Sequence, residues 1–158
     1  MSDNYAVING KRIELTDEQV QTLKFEIRAN PFSKKTTTYV FTIVEPDGVD
    51  TIQNSSELYD AALSFNDEQF ANQVALHQLL YRKLLKFAYD NECEDTAEWD
   101  GSNKHWAVSY DYACGTFTTY YQNAYGAQEV YFSSEDGVRS AIKEVVEPFM
   151  KEHPNFVW

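Results

Sequence analysis

The stretch from Asp67 to Asp90 constrains the fold more than any other part of this sequence. Its apolar residues recur at helical spacing and, at about 100° per residue, cover roughly half of a helix surface. They are Phe70, Val74, Leu76, His77, Leu80, Tyr81, Leu84, Leu85, Phe87 and Ala88. An arc of this width predicts a long helix that forms the spine of the core, with Ala75 and Leu79 on its more polar side.

Two hairpins and two shorter helices are predicted before the long helix. Asn9-Gly10 lies between short alternating runs and predicts a hairpin over Tyr5 to Leu15. A capping box that joins Thr16 to Gln19 predicts a helix through about Arg28, and Asn30-Pro31 ends it. The β-branched run from Thr36 to Val44, a turn at Pro46-Asp47-Gly48 and the run from Val49 to Gln53 predict a second hairpin. Ser55 or Ser56 then caps a short helix.

The pattern after the long helix changes to period two, which is typical of strands. Strands are predicted over His105 to Tyr112, Thr116 to Tyr121 and Gln128 to Phe132. A final helix begins at Ser133 or Ser134, and Pro148 predicts a break or kink in it. The predicted fold class is therefore α+β, with an N-terminal hairpin and helix, a central long helix, and a C-terminal three-stranded antiparallel meander followed by a helix.

The length and the cysteine content favour one intracellular domain. A chain of 158 residues can bury a sufficient core, so we expect a single domain over residues 1–158 with loosely held ends at 1–4 and 150–158. Cys93 and Cys114 are too few for a disulfide framework or a zinc site and indicate free thiols in a reducing compartment. No signal-peptide pattern and no apolar run of ~20 residues is found, so a cytoplasmic location is expected.

The charge of the chain limits its binding partners. The formal net charge is −12 and the pI is about 4.5. A surface of this sign repels the phosphates of nucleic acids and anionic lipids, which disfavours direct binding to nucleic acid or to membranes. A basic protein is the better electrostatic match, although acidity that serves only solubility has the same composition.

The segment from Asp90 to Asp100 is the sharpest local charge feature, because it contains no basic residue. Its alternating carboxylates resemble a calcium loop, but Asp95 stands sixth where an EF-hand needs Gly and Gly101 stands twelfth where it needs Glu. The segment is either a solvated loop or a patch that imitates phosphates in a basic groove, with Trp99 as an apolar anchor. The predicted partner-binding residues are Asp90, Glu92, Glu94, Asp95, Glu98, Trp99 and Asp100.

No motif for catalysis, metal binding or cofactor binding is found. His77 lies within the apolar arc and is expected to be a hydrogen-bonded core residue, while His105 and His153 have no ligand-spaced partner. The aromatic residues of the predicted meander resemble a base-stacking platform, but residues 105–134 contain no Lys or Arg. These rings favour core packing or a protein contact, and an oligomer formed through the aromatic sheet is a further alternative.

Several strings of the sequence carry a family resemblance: INGKRIELTDEQV, NPF, VALHQLLYRKLLKFAYDN, KHWAVSYDY and VYFSSEDGVRSAIKEV. They resemble small acidic proteins encoded by prophages and other mobile elements of Gram-positive bacteria. The matching features are structural, so the resemblance transfers no catalytic residue. It implies proximity to genes for inhibitors of host defence, including anti-CRISPR proteins.

Two functional hypotheses follow for this chain, and an enzyme with an unrecognised site is a third alternative. The first is a phage-derived, non-enzymatic inhibitor that binds a basic, nucleic-acid-handling host protein, most plausibly a CRISPR effector nuclease, through its acidic residues. The second is a structural or regulatory phage accessory protein that oligomerises through its aromatic sheet.

Overall fold

A computed structural model describes residues 5–8, 11–20, 30–34, 37, 39–45, 48–126 and 129–158. The described chain mixes helices with strands, as the α+β prediction requires. Every strand belongs to a two-stranded antiparallel pair, so the described part of the chain contains no larger sheet. The long helix packs on the second of these pairs, and the C-terminal helix packs on the third.

The two N-terminal hairpins agree with the sequence patterns. Strand β1 (Tyr5–Ile8) pairs with β2 (Lys11–Glu14), and β3 (Tyr39–Ile43) pairs with β4 (Val49–Gln53). The capping box is present, because Thr16 N–H donates to Gln19 Oε1 at 2.9 Å and Gln19 N–H donates to Thr16 Oγ1 at 3.2 Å. Residues 17–20 are helical. The rest of that predicted helix, the Asn9-Gly10 turn and Pro46-Asp47 lie outside the described residues.

The two helices that follow begin at the predicted caps. Helix α1 (Ser56–Asp60) is capped by Ser55, whose side chain accepts the N–H of Leu58 at 3.3 Å. Helix α2 (Glu68–Asp90) is the predicted long helix, and its cap Asp67 accepts the N–H of Phe70 at 2.8 Å.

The buried side of α2 differs from the predicted apolar arc. Its buried residues are Ala71, Ala75, Leu76, Leu80, Leu84 and Ala88. Ala75, which was assigned to the polar side, is fully buried, whereas His77, Tyr81 and Leu85 are exposed. Alanine adds little hydrophobic weight to a pattern, but its small side chain lets a neighbouring backbone approach closely. The contacts of α2 with β3, β4 and the C-terminal helix therefore decide which side is buried.

The predicted three-stranded meander is wrong. Strand β5 (His105–Asp111) pairs with β6 (Thr116–Gln122), but the predicted third strand contributes only Phe132, which bridges Trp106 on one side and Glu94 on the other. The loop after α2 takes the place of further pairing, because Asp95 N–H donates to Tyr131 C=O at 3.2 Å and Ser133 N–H donates to Cys93 C=O at 3.0 Å. Residues 127–128 of the predicted strand lie outside the described part.

The C-terminal helix is continuous from residue 135 to residue 152. It consists of α3 (Glu135–Ala141), a π-helix (Ile142–Val146) and α4 (Glu147–Glu152). Proline removes one backbone donor, and a π-helical turn is a known way to accommodate such a change in the hydrogen-bond ladder. The predicted break at Pro148 is therefore replaced by the wider turn before it, in which Glu147 N–H donates to Ile142 C=O.

The C-terminal tail is packed against α2, in contrast to the expectation of a loose end. Phe156 is buried, and its ring centroid lies 5.3 Å from that of Phe149. Gln73 on α2 holds the backbone of the tail, since its amide donates to Asn155 C=O at 2.8 Å and accepts Val157 N–H at 3.0 Å.

Among the described helices, none is long and apolar enough to cross a bilayer.

Candidate functional site

The acidic loop, which we define as residues 91–104, follows the last residue of α2 and ends where β5 begins. It is joined to the rest of the chain by the backbone bonds at Cys93 and Asp95 described above. Within the loop, Asp100 Oδ1 accepts the N–H and hydroxyl of Ser102 at 2.8 and 2.7 Å. Both hydrogen bonds lower the pKa of the Asp100 carboxyl, and the bond from the Ser102 N–H has the larger effect. Asn103 donates to Glu98 C=O at 2.9 Å, which closes the same turn.

The seven residues predicted to bind a partner divide into an outward and an inward group. Glu92, Glu98 and Asp100 are exposed, and Asp90 is exposed but paired with Lys86 on the same helix. Asp95 turns inward, with only 6% of its side chain exposed. Glu94 is half-buried, and its Oε2 has no hydrogen-bond partner among the described residues. Trp99 is exposed, with 38% of its surface accessible to solvent.

Asp95 and His105 form a buried pair at the base of the acidic loop. His105 is fully buried, and its Nδ1 lies 2.5 Å from Asp95 Oδ2. A carboxylate only accepts hydrogen bonds, so His105 carries a hydrogen on Nδ1 and donates it to Asp95. His105 Nε2 is buried and has no partner within the described part of the chain.

Trp99 covers this pair from the solvent side. Its ring is stacked on the His105 imidazole with centroids 3.4 Å apart and planes 9° apart. Tyr131 and Tyr125 contact the indole at steep angles, with centroid distances of 4.8 and 5.2 Å. The indole is therefore immobilised by rings on several sides, while Tyr125 itself remains 70% exposed.

A polar network continues from this aromatic cluster to the end of β6. Glu129 Oε2 accepts the Tyr131 hydroxyl at 2.6 Å and the Gln122 amide at 2.7 Å. Burial, and then the hydrogen bond to Glu129, raise the pKa of Tyr131. The same two causes raise the pKa of Tyr120, which lies on β6. Gly126 completes the network by donating its N–H to the Tyr131 hydroxyl at 2.8 Å.

A separate cleft of about 260 Å³ lies between α2 and β5. It is lined by His77, Leu80, Tyr81, Leu84, Ala107, Val108, Glu129, Val130 and Trp158. His77 is not the core residue expected from the sequence, because it is exposed, although its ring packs on Phe156 with centroids 4.6 Å apart. Partial burial lowers the pKa of its imidazole. Neither cysteine lines this cleft.

The described residues contain no group of three or more side chains placed to hold a metal ion. Both cysteines are free thiols, in agreement with the sequence prediction. Burial, followed by the charge of Glu94, raises the pKa of the Cys93 thiol, which makes it a poor nucleophile. The acidic loop exposes three carboxylates, those of Glu92, Glu98 and Asp100, and part of the Trp99 indole.

Sequence reasoning did not identify the Asp95–His105 pair. The two residues are ten positions apart in an irregular loop, so no helical or strand period relates them. The only sequence signal was a histidine at the beginning of a strand inside a segment rich in carboxylates.

Comparison with known proteins does not identify a family for this chain. No family model matches it, and no significant match is found among curated proteins or solved structures.

Proposed function

We propose that this protein is a non-enzymatic inhibitor of a basic, nucleic-acid-handling host defence protein, most plausibly a CRISPR effector nuclease. The observation that carries the proposal is an acidic loop that exposes the carboxylates of Glu92, Glu98 and Asp100 together with part of the Trp99 indole. The inward residues Asp95 and Glu94 do not contact the partner in this proposal. Asp95 instead holds His105, on which the Trp99 ring is stacked.

The charge of the chain supports a basic partner. A net charge of −12 accelerates association with a positively charged surface. Added salt screens this attraction and therefore weakens the association. A groove that holds a nucleic acid is lined by Lys and Arg side chains that pair with phosphates. Carboxylates held at fixed positions present the same sign of charge to that groove, so the inhibitor competes with the nucleic acid.

The second hypothesis, an accessory protein that oligomerises through its aromatic sheet, draws on the exposure of Tyr112 and Tyr121. Both rings have partners within the chain, because the Tyr112 hydroxyl donates to Trp158 C=O at 2.7 Å and Lys104 Nζ lies 4.4 Å from the Tyr121 centroid. We therefore rank this hypothesis second. Light scattering over a concentration series distinguishes the two, since the inhibitor is expected to remain a monomer without its partner.

The test of the inhibitor hypothesis uses two variants with equal changes in charge. The first, Glu92→Lys/Glu98→Lys/Asp100→Asn, alters the outward carboxylates and keeps an oxygen acceptor for the turn at Ser102. The matched control, Asp60→Asn/Glu144→Lys/Glu147→Lys, changes exposed carboxylates on α1 and on the C-terminal helix.

Both variants are added to purified CRISPR effector complexes, and cleavage of target DNA is measured. We expect the unaltered protein to inhibit at least one effector, less so as salt increases, and the loop variant to inhibit at least about tenfold less, since each lost charge contact is worth about 1 kcal/mol or more in a partly buried interface. The control should retain inhibition. Absence of inhibition across the effectors, or an equal loss in the control, contradicts the proposal.

A further inference from the structure

Trp99 of the acidic loop and Tyr125, which follows β6, form an exposed aromatic pair. Their centroids lie 5.2 Å apart, and they retain 38% and 70% of their surfaces in contact with solvent. Large aromatic residues of this kind, when they are exposed yet ordered, are typical centres of protein interfaces. The described residues place no basic side chain over this pair, whereas Lys104 covers Trp106 and Tyr121 on the other face of β5 and β6.

The aromatic pair is ordered before any partner arrives. One face of the Trp99 indole is stacked on His105 at 3.4 Å, and His105 is held by the carboxylate of Asp95, whose side chain is almost fully buried. A ring fixed in this way loses little conformational freedom when it binds. The buried pair therefore has a role beyond folding, since it fixes the orientation of the indole toward solvent.

The charge around the pair selects the ligand. Glu98 and Asp100 are the sequence neighbours of Trp99, and both are exposed. Glu129 is also exposed, and it accepts a hydrogen bond from Tyr131, which packs against the indole. An exposed aromatic pair whose neighbouring residues carry exposed carboxylates attracts a cation that is itself flat enough to stack. Guanidinium meets both conditions, because it stacks on aromatic faces and binds carboxylates through two parallel hydrogen bonds, whereas ammonium is compact and strongly hydrated.

We infer that Trp99 and Tyr125 are the recognition site for an arginine side chain of the basic partner, with Glu98 as the carboxylate that pairs with its guanidinium. This inference rests on the proposed function for the identity of the partner. It adds a preference for arginine over lysine, which general attraction between opposite charges does not produce.

The experiment compares two peptides of equal charge, nine arginines and nine lysines, by titration calorimetry with the full chain. We expect the unaltered protein to bind the arginine peptide about tenfold more tightly, in line with the strength of a cation–π contact to Trp. Trp99→Ala and Tyr125→Ala should both reduce this ratio to near one. Tyr89→Ala, which removes an exposed ring from α2, should leave it unchanged.

Tyr125→Ala protects the test against misfolding, because a side chain that is 70% exposed contributes little to the core. Equal affinity for the two peptides, or an arginine preference that survives in Tyr125→Ala and Trp99→Ala, overturns the inference. If an effector is inhibited but the peptides bind equally, the inference fails and the proposed function stands. If arginine is preferred but no effector is inhibited, the proposed function fails and the recognition site stands.

Discussion

Removal of the Asp95 carboxylate is expected to destabilise the protein far more than removal of its exposed neighbour Asp90. In Asp95→Ala, the Nδ1–H of the fully buried His105 loses its acceptor, 2.5 Å away. An unpaired buried donor costs about 1–3 kcal/mol. We expect a loss of about 3 kcal/mol, which lowers the Tm of a chain of this size by roughly 6–12 °C.

Two matched variants give this prediction its controls. Asp95→Asn keeps an oxygen acceptor at the same place and should cost only about 1 kcal/mol. Asp90→Ala removes the exposed pair with Lys86 at the end of α2 and should cost about 0.3–0.5 kcal/mol or less. Both positions carry the same residue type within one acidic segment, so composition alone predicts equal effects.

The assay is urea denaturation followed by far-ultraviolet circular dichroism, with thermal denaturation as a second measurement. The midpoint should shift in Asp95→Ala while the m value stays constant, because the surface exposed on unfolding does not change. Equal midpoints for Asp95→Ala and Asp90→Ala would refute the role of the buried pair. A loss in Asp95→Asn as large as in Asp95→Ala would show that the hydrogen-bond acceptor is not the cause.

Two further predictions concern the polar network and the C-terminal tail. Burial and the bond to Glu129 raise the pKa of Tyr131, so above about pH 10 the unfolded chain loses this proton first and the free energy of unfolding falls as pH rises. Tyr131→Phe should show a smaller fall between urea midpoints at about pH 8 and about pH 11, and an unchanged fall would contradict this origin. Phe156→Ala should cost about 3–5 kcal/mol in thermal denaturation, because the ring is 5% exposed. The exposed neighbour variant Val157→Ala should cost less than about 0.5 kcal/mol, and similar losses in both would mean that the tail is not part of the core.

The local elements of this protein could be predicted from the sequence, because each has a cause within a few residues. The Asp67 cap, the Ser55 cap and the Thr16–Gln19 capping box each satisfy backbone groups three positions away or fewer. Strong helix formers between Glu68 and Asp90 then leave little choice about α2. The acidic character of the loop after it was equally visible in the order of the residues.

The tertiary structure decided how those elements are paired and which side chains face inward. Phe132, in the predicted third strand, bridges both Trp106 on β5 and Glu94 in the loop after α2, so this segment lies between β5 and that loop. The same arrangement turns Asp95 toward His105 and leaves Glu98 in solvent, although both are carboxylates in one irregular segment. The physical reason is that a pattern along the chain encodes burial only where a regular period relates neighbouring residues. In a loop, the direction of each side chain depends on contacts with distant residues, which become neighbours only when the chain folds.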